Sequence, residues 1–269
     1  MKWSEPVLSG GPPTIKNHSV TYHDGLLYCF GGYDGRKNHM TLLVYSIADQ
    51  QWMHATTTGS TTHTDDEGIP ASSVTSGKNN SNNNSLSQNA AGLGGLVGGS
   101  IMVSGTPPPG RNGHTATLAS DGEDDGRIII IGGWLGSGPL AAHDMHVLDV
   151  SGGPTNLRWY QPAVKGTPPG PCNMHSADYV PARREVFVFR GGNGREYLND
   201  LHALHVDTYE WRKVETTGEA PQQRANHSSA LLEETSELFI FGGWNGKERL
   251  NDVYILNTDT LTWTCPHVS

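Results

Sequence analysis

The 269-residue chain has no run of about 18 apolar residues, so nothing in it reads as a membrane-spanning helix. Its start, Met1-Lys2-Trp3-Ser4-Glu5-Pro6, lacks the apolar stretch of a secretion signal. Cysteine is scarce. Cys29, Cys172 and Cys265 are odd in number and show no local pairing pattern, so they make no disulfide framework. They read as reduced thiols of an intracellular, cytoplasmic protein. Basic residues are in deficit, 18 Lys and Arg against 27 Asp and Glu, for a net charge of −9. A partner held through phosphates, whether nucleic acid or an anionic membrane surface, would need the opposite balance. No nucleotide-cradling loop, Ser-His-Asp set or pair of zinc-ligand clusters stands out, so neither catalysis nor a cofactor is expected.

Glycine and proline are plentiful, at 34 and 16, as suits many short strands joined by tight turns. One pattern recurs four times: a Pro-rich turn, a His followed by Ser or Thr, an apolar run ending in Gly-Gly, a second strand, and a Trp. The histidines are His18, His114, His175 and His227, and the tryptophans are Trp52, Trp159, Trp211 and Trp263. The glycine pairs are Gly31-Gly32, Gly132-Gly133, Gly191-Gly192 and Gly242-Gly243. A repeat of roughly 50 residues with these marks predicts a propeller blade of four strands. The runs Leu26–Phe30, 128–131, 186–189 and 238–241 are apolar at successive positions, so they should be covered on both faces by neighbouring blades. The glycines should supply φ > 0 or close backbone approach, and each Trp should fill the gap between blades.

These marks resemble the kelch family, and the Pro-x-x-Arg-x-x-His openings at Arg111 and Arg224 resemble its host-cell-factor and Rab-effector members. The resemblance implies an all-β, kelch-type β-propeller that binds other proteins without catalysis. The expected layout is one domain over residues 1–269, with blades at about 12–55, 107–163, 168–215 and 220–265. Residues 56–105 match nothing in the repeat; their Asn- and Gly-rich composition predicts a disordered low-complexity insert. Within it, Ile101-Met102-Val103 could be a docking motif or part of a tolerated insertion. Trp3 looks like the end of an outer strand whose own blade lies elsewhere, which suggests an incomplete ring. Closure with four blades and assembly with another chain are the alternatives.

Topology places the loops between second and third strands at the same end as the blade-to-blade connections. That end gathers Tyr33, Arg36, Arg111, Trp134, Asn193, Arg195, Arg224, Trp244, Asn245 and Lys247, a mixture suited to an interface with a protein or peptide partner. The competing reading has the arginines pairing with third-strand aspartates. The repeated histidines suggest hydrogen bonding between blades rather than a metal ring, because ligands must converge within about 2.0–2.1 Å of one point. The acidic turn Asp121–Asp125 reads as a solvated hairpin rather than a Ca²⁺ loop. A metal-dependent oxidase or iron-dependent specifier enzyme is the rival class. Its nearest match is Glu196, Asp200, His202 and His205, but Leu204 stands where a ligand would be wanted. A scaffold for actin is a third reading.

Overall fold

The computed structural model describes residues 14–58, 100–122, 125–136 and 144–266. Trp3 and residues 59–99 of the expected insert lie outside them. Among the described residues no helix is long and apolar enough to cross a membrane.

The architecture is an all-β propeller, and the described residues form four antiparallel meanders of it. The first is β1 (Ser19–His23), β2 (Leu26–Phe30), β3 (Leu42–Ser46) and β4 (Gln51–Thr58), followed by a connecting strand β5 (Ser100–Ser104). The second is β6 (Thr115–Gly122), β7 (Asp125–Ile131), β8 (His146–Asp149) and β9 (Leu157–Tyr160), followed by the short β10 (Lys165–Gly166). The third is β11 (Ser176–Val180), β12 (Glu185–Phe189), β13 (Leu201–His205) and β14 (Glu210–Val214), followed by β15 (Thr217–Gly218). The fourth is β16 (Ser228–Leu232), β17 (Glu237–Trp244), β18 (Arg249–Asn257) and β19 (Thr262–Thr264). The first strands pack side by side, β1 on β6, β6 on β11 and β11 on β16, so they are innermost and the Trp-bearing strands outermost.

Three apolar layers lie between successive blades. The first joins Tyr28, Phe30 and Val44 to Ile128, Ile130 and Trp159. The second joins Ile129 and Val147 to Val186, Leu204 and Trp211, and the third joins Phe187 and Phe189 to Leu238, Ile240 and Trp263. The unbroken apolar runs of the second and third blades follow from this, since each of those blades is covered on both sides, whereas the run at 238–241 is covered on one face only: Leu238 and Ile240 are buried and Phe241 is 52% exposed.

Two expectations need correction. The first is the insert's bounds. β4 continues to Thr58, and β5 runs parallel to it from His54↔Ser100 to Thr58↔Ser104. β5 also pairs with β9 at Val103↔Leu157, which links the first two blades into one nine-stranded sheet. Ile101 and Val103 are not a docking motif: both are buried in the first apolar layer while Met102 points outward, the alternation of a half-buried strand. The second concerns the third blade's glycines. Ser176 faces Phe189 as Ser228 faces Phe241, so Arg190 occupies the first-glycine position and Gly191 the second. Gly192 then takes the place held by Tyr33, Trp134 and Trp244 elsewhere. The spacing already carried this sign: Gly191 to Trp211 is 20 positions, whereas Gly31 to Trp52 and Gly242 to Trp263 are 21.

Candidate partner-binding face

At one end of the blades, each connection pairs with the loop after a second strand. The bridges are Lys16↔Tyr33, Asn112↔Trp134, Asn173↔Gly192 and Ala225↔Trp244. Neighbouring blades are then tied by a backbone relay. Gly113 N donates to Asn17 O at 2.9 Å, Met174 N to Gly113 O at 2.9 Å, and Asn226 N to Met174 O at 3.0 Å. All four residues hold positive φ, and Gly113 in particular admits no side chain, because a Cβ would fall 2.2 Å from Asn173 Oδ1.

The repeated histidines make the adjacent tie. His114 Nε2 is hydrogen-bonded to Ser19 Oγ at 2.9 Å, His175 Nε2 to Thr115 Oγ1 at 3.0 Å, and His227 Nε2 to Ser176 Oγ at 2.9 Å. Burial pushes the imidazole pKa down to about 3 for His114 and His175 and to about 4 for His227, with the nearby Arg111 and Arg224 guanidiniums adding to the fall at His114 and His227. Neutral rings that bond hydroxyls across blade seams are structural joints. Among the described residues no three His, Cys, Asp or Glu side chains gather where an ion could be held.

Arg111 and Arg224 leave the candidate list, since both are fully buried at 0% exposure. Arg224 Nη1 and Nη2 donate to the two carboxylate oxygens of Asp252 at 2.6 and 3.0 Å, and Nη1 also reaches Gly242 O at 2.9 Å. Arg111 Nη2 donates to Asp144 Oδ2 at 2.5 Å and Nη1 to Gly132 O at 3.1 Å. In the third blade Cys172 stands where these arginines do. Arg190 reaches Asp200 Oδ2 at 3.0 Å from the other side, with His202 Nδ1 3.4 Å from the same oxygen. Asp200 thus belongs to the repeated Arg–Asp joint. In the acidic turn, Asp121 is paired with Arg184 and accepts from Tyr179 Oη at 2.6 Å.

The asparagines are turn-builders. Asn193 Oδ1 accepts from Arg195 N and Glu196 N, each at 2.9 Å, and Asn245 Oδ1 accepts from Lys247 N and Glu248 N, each at 2.9 Å. Asp34 does the same for Arg36 N and Lys37 N, and these bonds together with His39 hold its carboxyl well below the usual range. The turns project Arg36, Arg195 and Lys247 into solvent, beside the half-buried Tyr33 and Trp244 and an exposed Trp134.

Among the hollows on this face, two gather candidate residues with basic side chains. One, of about 490 Å³ between the first and second blades, is lined by Lys16, Arg36 and Lys37 together with Tyr33, Trp134 and three asparagines, Asn17, Asn38 and Asn112. The other, of about 270 Å³, opens at Gly192, where the missing aromatic leaves room among Asn173, Arg195 and Tyr197. Lys16, Lys37 and Tyr197 escaped notice in the sequence. Lys16 lies two residues before the repeat's His18 and Lys37 directly follows Arg36, and the 20-residue spacing was the sign of the gap at Gly192.

A family model described as the KLHDC2/KLHL20/DRC7 Kelch-repeats domain matches residues 113–269, and a Kelch motif model matches residues 15–58. Four-stranded blades with these joints define a propeller of the kelch class. The chain belongs to the kelch-repeat family. It is 30% identical over 164 residues to acyl-CoA-binding domain-containing protein 5 of Arabidopsis thaliana, covering 61% of this chain and 23% of that protein. It is 32% identical over 177 residues to the Rab9 effector protein with kelch motifs of Xenopus laevis, covering 63% and 45%. Over 171 residues it is 29% identical to human Kelch domain-containing protein 3, covering 60% and 42%. The chain thus spans less than half the length of each of these relatives.

Proposed function

We propose that this propeller is a non-catalytic interaction module that binds an acidic segment of another protein on the loop face. The observation that carries the reading is the hollow between the first two blades. Three cations, Lys16, Arg36 and Lys37, converge there beside Tyr33 and Trp134, on a chain whose net charge is −9. Aromatic and Arg side chains in a depression are the usual anchors of an interface, and the cations would pair with partner carboxylates. His114, His175 and His227, and the buried Arg111 and Arg224 with Asp144 and Asp252, are taken up by joints within the repeat, which supports binding over chemistry. One relative is named as a Rab9 effector, in keeping with a role in partner recognition.

The test is affinity capture from a cell extract with the wild-type chain and with Arg36→Ala plus Trp134→Ala. Both side chains are solvent-facing, so the fold should survive, as checked by circular dichroism. Selective loss of one or more acidic partners supports the reading. Equal recovery of every partner would refute it.

A further inference from the structure

The two hollows on the loop face occupy the same place in the repeat. Tyr33 pairs with Asn38 in the first blade as Gly192 pairs with Tyr197 in the third. Asp34 accepts from Arg36 N and Lys37 N as Asn193 accepts from Arg195 N and Glu196 N. Position for position, the hollow between the third and fourth blades is the counterpart of the one between the first and second.

Its chemistry differs. Where the first hollow has the cations Lys16 and Lys37, the second has Asn173 and Glu196. Where the first has the asparagines Asn17, Asn38 and Asn112, the second has Met174, Tyr197 and Ala225. Arg36 keeps a counterpart in the exposed Arg195.

The ring of Tyr33 has no counterpart at all, and the backbone does not demand this. Gly192 lies outside the positive-φ region, and a Cβ built on it would meet nothing closer than Glu196 O at 3.7 Å and Asn173 O at 3.9 Å. A side chain fits there, so the room comes from the residue and not from the fold. Tyr197 does not swing in to fill it. Its ring leans on the loop of the fourth blade, where a Cβ on Gly246 would fall 2.9 Å from Tyr197 Cε2. The hollow of about 270 Å³ is below the roughly 300–1,000 Å³ of small-molecule sites and suits a single side chain.

We infer that this hollow receives an aromatic side chain, Trp, Tyr or Phe, of the protein segment that binds the loop face. The inference rests on that reading of the face and adds what the partner must carry. The repeat itself selects a ring, because Tyr33, Trp134 and Trp244 hold the place in the other described blades. Two of those rings lie under a cation, Lys16 Nζ at 5.8 Å from Tyr33 and Arg249 at 6.0 Å from Trp244, a part that Arg195 can play here. The Met174 thioether and the Tyr197 ring both favour contact with an aromatic. The partner's ring then supplies from outside the residue that this blade lacks.

The experiment selects random peptides displayed on phage against the wild-type chain and against Gly192→Trp, which fills the hollow from within. Wild type should enrich acidic peptides with an aromatic residue at one fixed place. Gly192→Trp should enrich acidic peptides without that preference. In fluorescence polarisation the best wild-type peptide should bind Gly192→Trp about tenfold or more weaker, and lose as much when its own aromatic becomes Ala. The two changes together should cost no more than either alone, as expected when both remove one contact. Gly192→Ala, which adds only a methyl, should bind like wild type. Circular dichroism and thermal unfolding check the fold. Nuclear Overhauser contacts between the Met174 methyl and the peptide's ring protons give a readout on wild type that needs no variant. Acidic peptides without an aromatic preference, or with Leu or Ile at the fixed place, would overturn the inference and leave the acidic-segment reading intact. So would an aromatic peptide that binds Gly192→Trp at wild-type affinity or that never contacts Met174. Aromatic peptides without acidic residues, lost on Gly192→Trp, would support the inference and refute the acidic-segment reading. No enrichment on wild type would overturn both.

Discussion

Arg224 looks in the sequence like a loop arginine ready for a partner, yet in the fold its guanidinium is sealed under the blade, bidentate to Asp252. Sequence alone left both readings open, since a Pro-x-x-Arg turn has the same composition whether its arginine points out or in. Only the third strand, arriving from 28 positions away, decides it. Arg224→Ala leaves a carboxylate and the Gly242 carbonyl without their donor, so it should cost on the order of 3–5 kcal/mol in urea unfolding. Arg36→Ala, in open solvent, should cost less than ~0.5 kcal/mol. The histidine joints predict a pH response. Their folded pKa values, about 3 to 4, lie below the ordinary value of 6.5. The unfolded chain therefore binds protons first, and stability is full above pH 6.5 and lost as pH falls toward 3–4. Each such ring contributes a slope of up to ~1.4 kcal/mol per pH unit. Asp178 acts in the opposite sense: burial raises its carboxyl to about 6, so its stabilisation is present at low pH and lost as pH rises through 6. The clean readout is therefore a difference. Thermal melts from pH 7 to pH 4 should fall less steeply for His175→Gln than for wild type.

At the level of strands, the Trp and the Gly-Gly marks were legible because their spacing is nearly constant and the chemistry behind them is steric. The connecting strands were not. β5, β10 and β15 run parallel to the outer strand of the blade that follows, a pairing of residues as far as 54 positions apart that no local pattern announces. Their sequence sign is a glycine two or three residues ahead of the prolines: Gly105, Gly166 and Gly218. Each has positive φ, and a Cβ would lie 2.0–2.2 Å from the carbonyl oxygen of Trp159, Trp211 or Trp263. Gly218→Ala should accordingly destabilise the chain by more than ~1 kcal/mol in chemical denaturation. Trp211→Ala empties the layer between the second and third blades and should cost roughly 3–5 kcal/mol. The boundaries of the insert were misjudged for a related reason. Ile101, Met102 and Val103 are too few to show a period, and it is their burial against the first two blades that makes them a strand.

At the scale of the whole fold, the described residues form three seams between blades that repeat one design, and that repetition is what made the propeller legible. Which residues of the proposed binding face reach solvent was only partly legible. Topology gathered the loops at one end, but the separation of turn-building Asn193 and Asn245 from solvent-facing Arg36, Arg195 and Lys247 depends on hydrogen bonds made after folding. The most direct measurement of the central claim is site-specific photocrosslinking in cells. A photoreactive residue installed at Lys37, on the loop face, is compared with one at Glu234, in the turn between β16 and β17 at the opposite end of the blades. The account predicts discrete protein adducts from the Lys37 position that are absent from the Glu234 position. Adducts of equal identity and yield at both positions, or none at Lys37, would contradict it.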